Sequence, residues 1–262
     1  MKTDYDILIV EDEPVVVESA QKILSTEDYR IDAAEDAETA LQKLQQNTYK
    51  IVLSDLMLPN INGFELLKKV KKDFPGMQTI MITGYATLEN AVKSFKLGAF
   101  DFIPKPFDFE ELLGVVSRAM NFTELFADKK IRDYSSIPTG GNGKTKYYFL
   151  GENAWAKFDQ DGTMVIGVSD IYPRLIGDIQ RIEFPPVNVD LQQGNVCLRI
   201  TSAKDLVHLV WSPVSGRVIQ HNQQVEHNHS LLSSDPIHRG WLVRVIPENI
   251  ESELENLSVR VN

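Results

Sequence analysis

Acidic, hydroxyl and lysine side chains follow apolar runs at several points near the start of the sequence. Glu11 and Asp12 come directly after the run ILIV, Asp55 and Thr83 each end a later run, and Lys105 follows FDFIP. If these runs are parallel strands of one sheet, their carboxyl ends share the edge where ligands bind in open α/β sheets. We therefore expect these side chains to converge on one site.

The acidic members of this set predict a magnesium site. Carboxylates held close together repel each other, and Mg²⁺ binds hard oxygen ligands while it keeps several waters. Glu11, Asp12 and Asp55 are therefore the expected metal ligands. Beside the ion, Asp55 can act as a nucleophile on phosphorus, because the metal and the Lys105 cation neutralise charge on the phosphoryl oxygens. These residue types predict phosphoryl transfer to Asp55.

Two other residues fit the same chemistry. The Thr83 hydroxyl can donate a hydrogen bond to a phosphoryl oxygen, and Phe102, three residues before Lys105, is a candidate rotamer switch. Each residue alone also has an ordinary structural explanation, such as a helix cap, a strand end or a turn, and packing explains Phe102 equally well. The prediction depends on their combination at successive strand ends.

A parallel sheet with alternating helices would place these residues correctly. From residue 6 to about residue 121, short apolar runs alternate with segments of helical period. The predicted strands are DILIV, RIDAA, KIVLSD, TIMIT and FDFIPK. The predicted helices begin near Pro14, Ala37, Gly63, Leu88 and Phe109. The pattern indicates one α/β domain with a doubly wound, five-stranded parallel sheet.

The stretches ILIVEDEP, VLSDLMLPNINGFELL, MITGYAT and FDFIPKPFD resemble a response-regulator receiver domain along its whole length. The resemblance implies that Asp55 accepts phosphate from a sensor histidine kinase or a phosphotransfer protein, and that the acidic pair binds Mg²⁺. It also implies a flavodoxin-like fold, and that the backbone carbonyl of Met57 completes the metal coordination. We expect a phosphoacceptor signalling protein and not an enzyme, apart from slow hydrolysis of its own phosphate.

The sequence changes character after residue 122. Residues 123–146 lose both periods and gather Ser, Pro, Gly and charge, which predicts a linker between domains at 1–122 and 147–262. The GGNGKT within it is not a phosphate loop, because Pro138 stands where that motif needs glycine and no strand precedes it.

The later part contains short β-rich runs between turn residues: KYYFLG, TMVIGVS, IQRIEF, NVCLRI, LVHLVW, GRVIQH and GWLVRVI. They predict a compact antiparallel β domain, and ENIESELENL predicts a short acidic helix.

This β domain resembles the glycine-cleavage H protein, a relative of lipoyl carrier domains. The matching stretches include YFLGENAWAKFDQDGTMVIGVSD, SPVSGRVIQHN and SSDPIHRGWLVRV. The resemblance implies a barrel-sandwich fold in which a lysine at a hairpin tip carries lipoyl through an amide bond. Lys204 holds that position when residues are counted forward from Gly194.

Three departures from the carrier motif surround Lys204. Thr201 replaces the acidic residue of the motif, Asp205 follows the lysine, and one residue is inserted before SPVSG. Because strand side chains alternate with period two, the insertion must be absorbed at the turn or as a bulge. We expect Lys204 at or next to an exposed hairpin tip and unmodified, with lipoylation as the alternative.

The composition limits the kinds of partner and the cellular compartment that we expect for this protein. The formal net charge of −10 repels a phosphate backbone, so we expect no nucleic-acid partner. No long apolar segment and no signal-peptide pattern appears, so we expect no membrane association and no export. Cys197 is the only cysteine, which excludes intramolecular disulfides and fits a reducing cytoplasm.

These observations leave three hypotheses for the function, each from a different class of protein. The leading hypothesis is a response regulator that relays phosphorylation of Asp55 through an H-protein-like domain that binds a protein. The alternative is a carrier lipoylated on Lys204 whose activity the phosphorylation controls. A transcription factor is disfavoured, because no helix-turn-helix pattern follows residue 147.

We predict that the purified protein does not bind duplex DNA with sequence preference at physiological salt. The acidic charge opposes binding, and non-specific attraction to phosphates falls steeply as salt rises. Footprinting over a salt series is the measurement. A specific footprint that persists at moderate salt contradicts the prediction.

Overall fold

A computed structural model describes residues 3–127, 145–248 and 250–261. Within residues 3–127, one parallel sheet has the strand order β2-β1-β3-β4-β5. The strands are β1 Ile7–Val10, β2 Ile31–Ala34, β3 Ile51–Asp55, β4 Gln78–Thr83 and β5 Asp101–Pro104. The helices are α1 Pro14–Leu24, α2 Ala37–Gln46, α3 Gly63–Asp73, α4 Leu88–Lys96 and α5 Phe109–Ala127. The predicted doubly wound fold is confirmed.

The sequence determines these elements locally. Every residue of β1, β3 and β4 is buried, as expected for strands covered on both faces. The side chains of Asp36, Asn62 and Thr87 each accept a hydrogen bond from the backbone N–H three residues later, which fixes the starts of α2, α3 and α4. Pro14 lies at the start of α1, where its missing N–H is not needed. The strand ends therefore have fixed places along one edge.

The C-terminal domain is built mainly of antiparallel strands. Among residues 145–248 and 250–261, a seven-stranded sheet has the order β10-β13-β14-β8-β7-β6-β15, and a three-stranded sheet has the order β12-β11-β9. The strands are β6 Lys146–Leu150, β7 Ala154–Phe158, β8 Met164–Val168, β9 Ile179–Glu183, β10 Asp190–Leu191, β11 Val196–Ser202, β12 Val207–Trp211, β13 Gly216–His221, β14 Val243–Pro247 and β15 Ser258–Val261. The short helices are α6 Tyr172–Ile176, α7 Gln223–His227, α8 Leu231–Ser234 and α9 Ile250–Leu254.

The predicted β-rich runs all contain strands, and the acidic tail contains α9 as expected. Strands β7, β10 and β15 were not predicted. Strand β10 has only two residues, and the side chains of β15 are largely exposed at the sheet edge, so neither has a strong apolar pattern. Helix α5 continues through Ala127, into the segment predicted as a linker, whereas residues 128–144, including GGNGKT, lie outside the described part.

The two domains pack against each other through a shared apolar core. One hydrophobic cluster contains Met81, Phe95 and Phe102 of the N-terminal domain together with most of the C-terminal core, including Trp211. The Trp211 ring meets Phe102 edge-on, with ring centroids 5.7 Å apart. This contact places a residue of the candidate site in the interface.

A buried polar group lies beside these rings. Arg118 on α5 is fully buried and forms an ion pair with Asp101 at the start of β5. It donates a hydrogen bond of 2.6 Å to the hydroxyl of Tyr172, and the indole N–H of Trp211 donates to Asp101 over 2.8 Å. We call Asp101, Arg118, Tyr172 and Trp211 the Arg118 network.

No helix in the described ranges combines the length and apolar character needed to cross a bilayer.

Candidate functional site

Three carboxylates meet at the carboxyl edge of the parallel sheet. Glu11, Asp12 and Asp55 each place an oxygen within 4.8 Å of the other two. Glu11 and Asp55 are buried, and Asp12 is exposed. The loops after β1 and β3 therefore bring the predicted acidic residues together, with one side open to solvent.

Lys105 joins this cluster from the loop after β5. Its ammonium lies 2.8 Å from a carboxylate oxygen of Glu11, 3.5 Å from Asp55 and 3.3 Å from Glu13. Burial by itself would lower the pKa of Lys105, but its bond to Glu11 and the nearby Asp55 charge raise this pKa overall. Burial also raises the pKa of Glu11, although Lys105 opposes that effect. The lysine is thus held charged beside Asp55.

Thr83 and Lys105 are linked through the backbone. The N–H of Lys105 donates to the carbonyl of Thr83 over 2.8 Å. Thr83 is buried at the end of β4, and its hydroxyl oxygen accepts a hydrogen bond of 3.1 Å from the N–H of Tyr85. Both residues stand at adjacent strand ends, as the sequence predicts.

Phe102 lies inside the molecule. It is 1% exposed, pairs with Met81 across the β4–β5 ladder and contacts Trp211. The packing interpretation of Phe102 is therefore correct for this conformation, and its role as a switch stays a prediction. The sequence did not predict that its packing partner comes from the other domain.

A magnesium ion fits the residues at this edge. The donors are all oxygens. Among the described residues, the carboxylates of Glu11, Asp12 and Asp55 are opposed by the ammonium of Lys105, so negative charge remains for a cation to neutralise. Met57, whose carbonyl the family resemblance assigns to the metal, lies two residues past Asp55 in a half-exposed part of the β3–α3 loop.

Two family models match the chain. The model of the response regulator receiver domain covers residues 7–117, and the model of the glycine cleavage H-protein covers residues 147–260. The chain belongs to both families, one in each domain. The N-terminal part is a receiver domain, and the C-terminal part is an H-protein domain.

Individual relatives are similar to one or the other part of the chain. A probable glycine cleavage system H protein of Thermococcus kodakarensis is 36% identical over 114 residues, which cover 44% of this chain and 84% of the relative. The response regulator ArlR of Staphylococcus saprophyticus is 41% identical over 114 residues, which cover 44% of this chain and 51% of ArlR. Among solved structures, a CheY-like receiver domain protein of Methanospirillum hungatei is 36% identical, with a TM-score of 0.45, over 48% of this chain and 99% of that one.

The H-protein domain presents Lys204 at the tip of the β11–β12 hairpin. Residues Ala203–Asp205 form a turn that is closed by a 2.9 Å hydrogen bond from the N–H of Ser202 to the carbonyl of Leu206. Lys204 has a left-handed φ of 64°, and its side chain is 70% exposed. Its ammonium lies 3.3 Å from Glu27 of the receiver domain. The predicted position of Lys204 at an exposed tip agrees with this geometry.

The irregular hairpin has two departures from a simple ladder. Thr201 pairs with Val207, and the turn between these two residues contains Lys204 and Asp205, both with a left-handed φ. A bulge at Cys197 lies further along β11. The turn has the expected irregularity, whereas the bulge lies in the outgoing strand β11 and not in the returning arm that carries the insertion.

Sequence reasoning did not identify the Arg118 network. One signal was present, because an arginine interrupts the apolar segment LLGVVSRAM of α5. A fully buried arginine requires a carboxylate and further hydrogen-bond partners. Its Tyr172 and Trp211 partners come from the H-protein domain, so their positions depend on how the domains pack.

We predict that Gly63→Ala displaces the backbone of Asp55 and so disturbs the acidic site. A Cβ at residue 63 would lie 2.1 Å from the carbonyl oxygen of Asp55 and 2.8 Å from the Cα of Leu56, so the Asp55 backbone must move. Such overpacking costs about 1–3 kcal/mol. Thermal unfolding should show this loss, and phosphate incorporation at Asp55 should slow. Gly76→Ala is the control, because a Cβ there meets nothing within 4 Å. Equal behaviour of the two variants contradicts the prediction.

Proposed function

We propose that this chain is a two-component response regulator that accepts a phosphoryl group on Asp55. The observation that carries the proposal is the Lys105 ammonium, which lies against both Glu11 and Asp55 at a carboxylate cluster suited to a divalent cation. The receiver-domain match supports it independently. The donor would be a sensor histidine kinase or a phosphotransfer protein.

In the proposed reaction, a carboxylate oxygen of Asp55 attacks phosphorus of a phosphohistidine. The new O–P bond forms as the P–N bond breaks, and the imidazole leaves with its electron pair and takes a proton from solvent. Lys105 would pair with one phosphoryl oxygen, and the Thr83 hydroxyl would donate to another. Mg²⁺ held by Glu11, Asp12, Asp55 and the Met57 carbonyl would neutralise charge on the phosphoryl group.

The H-protein domain would be the output of this switch. It is packed directly on Phe102, the candidate switch residue, through Trp211. The proposed output is a protein contact and not DNA binding, in accord with the net charge of −10. The protein would signal without catalytic turnover, apart from slow hydrolysis of its own phosphate. A single cysteine accords with a cytoplasmic site of action.

We predict that acetyl phosphate phosphorylates the chain only when Mg²⁺ is present, and that Asp55→Asn abolishes the modification. An amide oxygen is a poor nucleophile, so no acyl phosphate can form at residue 55. Intact mass and phosphate-affinity electrophoresis measure the product, with a chelator as the metal control. Asp73→Asn, an exposed acid at the end of α3, is the matched control and should behave as the parent does. Comparable phosphate on Asp55→Asn would refute the assignment.

A second function, a lipoyl carrier under receiver control, is favoured by one observation. Lys204 stands at a solvent-exposed hairpin tip in a domain of the H-protein family. Against it, Thr201 and Asp205 replace the expected neighbours of the carrier lysine. We propose that Lys204 is unmodified and that the H-protein domain serves as a docking module.

The modification state of Lys204 can be measured directly. We predict an unmodified lysine in protein isolated from its native host, because a ligase reads the shape of the turn and the neighbouring carboxylates. Peptide mass spectrometry across residues 200–211 is the measurement, and co-expression of a Lys204→Arg chain with a lipoate ligase is the control for other acceptor lysines. A lipoyl adduct on Lys204 in a large fraction of molecules would make the carrier function the better one.

A further inference from the structure

A cavity of about 360 Å³ lies between the two domains, away from the acidic site. Its receiver side is formed at the end of α3, the start of β4 and the segment before β5, which are at the amino edge of the parallel sheet. Its other side is formed by the β6–β7 turn and the segment that joins α9 to β15. Small-molecule sites commonly have this size and commonly lie between domains.

The interior of this cavity is largely apolar. Phe95 of α4, Phe149 of β6 and Leu257 line it, and each is more than nine-tenths buried. The β6–β7 turn packs closely on α4, since a Cβ at Gly151 would lie 2.9 Å from the ring of Phe95. A hydrated ion that entered this interior would lose water without gaining polar partners. The interior is therefore suited to an apolar group.

Lys71, in the last turn of α3, brings an ammonium to the same cavity. Its stem packs over Gly98, where an added Cβ would lie 2.8 Å from the Cε of Lys71. The side chain is half-buried, and among the described residues no carboxylate or other acceptor lies within bonding distance of its Nζ. Burial lowers the pKa of Lys71, and the charge of Glu152 only partly opposes this effect. A bound anion would stabilise the charged form of this amine.

The other charged side chains of the described lining also favour an anion. Glu152 is paired with Arg260 over 2.6 Å, and Glu255 is exposed. Lys96 is a second ammonium on the lining, and it donates a hydrogen bond of 3.3 Å to the side chain of Asn256, which is uncharged. Two ammonium groups thus face one carboxylate that has no ion-pair partner among the described residues, that of Glu255.

We propose that this cavity binds a small organic acid with an apolar body. The carboxylate of the ligand accepts hydrogen bonds from Lys71, and its body lies against Phe95, Phe149 and Leu257, where it displaces water from apolar surface. A free amino acid does not fit, because its own ammonium would meet Lys71 and Lys96. Asp55 is at the opposite edge of the sheet, so this site stands independently of the proposed function.

Titration of the full chain with phenylacetate, benzoate and isovalerate tests the site. Thermal unfolding should shift upward with the concentration of at least one acid, because a ligand that binds only the folded chain stabilises it. Calorimetry at constant ionic strength gives the affinity. Phenylacetamide, which lacks the charge, and inorganic phosphate, which lacks the apolar body, should bind at least tenfold more weakly than that acid. Equal binding of either control, or no binding of any of the three acids, overturns the proposal.

A pair of variants assigns the charge recognition to one lysine. Lys71→Met keeps an unbranched stem over Gly98 but removes the ammonium, so the affinity for the acid should fall about tenfold, the loss expected for a hydrogen bond to a charged group. Lys72→Met, at the exposed next residue of α3, is the matched control and should bind as the parent does. Equal affinity of the two variants contradicts the assignment.

Amine acylation of the parent chain locates the ligand without any substitution. A saturating concentration of the acid should slow the reaction of an N-hydroxysuccinimide ester at Lys71 and leave the reaction at Lys72 unchanged, with tandem mass spectrometry distinguishing the two lysines. If the acid raises the unfolding temperature but does not protect Lys71, the ligand lies elsewhere and the proposed site is wrong.

Discussion

The guanidinium of Arg118 is enclosed where the two domains meet, and groups of both domains satisfy it. Asp101 of the receiver domain neutralises its charge, and the hydroxyl of Tyr172 accepts a hydrogen bond of 2.6 Å from it. Removing one partner of such a buried pair costs about 3–5 kcal/mol, because the other charge is left uncompensated. Asp101 also accepts from Trp211. The docked geometry is therefore specified by polar groups as well as by apolar packing.

This constraint is compatible with both interpretations of Phe102, the observed packing role and the predicted switch role. Asp101, which precedes it, fixes Trp211, and Trp211 then packs edge-on against the Phe102 ring. Packing explains why the ring is buried, and the same packing makes the H-protein domain sensitive to any change in the ring's position. If the side chain at this position faced solvent, its packing partner would have to come from another molecule. Here the partner is already in contact.

The sequence predicts the acidic edge better than the interface, for a physical reason. Asp55 and Lys105 end parallel strands, so their meeting follows from strand order and needs no knowledge of distant packing. The contact between Phe102 and Trp211 depends on how two domains dock, which no local pattern contains. Helix α5 gives a partial sequence signal for the interface. Its segment LLGVVSRAM has a wider apolar face than packing on its own sheet requires, and this segment includes Gly114 and Arg118.

A switch of this kind requires an interface that is close to balance. Coupling between two sites is typically about 1–3 kcal/mol, so the proposed phosphorylation would shift only a contact whose net stability is similar. Within the described residues, the Nε of Arg118 and the Nδ1 of His208 are buried without a hydrogen-bond partner. Each such group costs about 1–3 kcal/mol. Burial and the Arg118 charge hold the pKa of His208 well below its usual value, so the ring is neutral and adds no second buried charge. The incomplete satisfaction of these two side chains offsets part of the apolar gain at the interface.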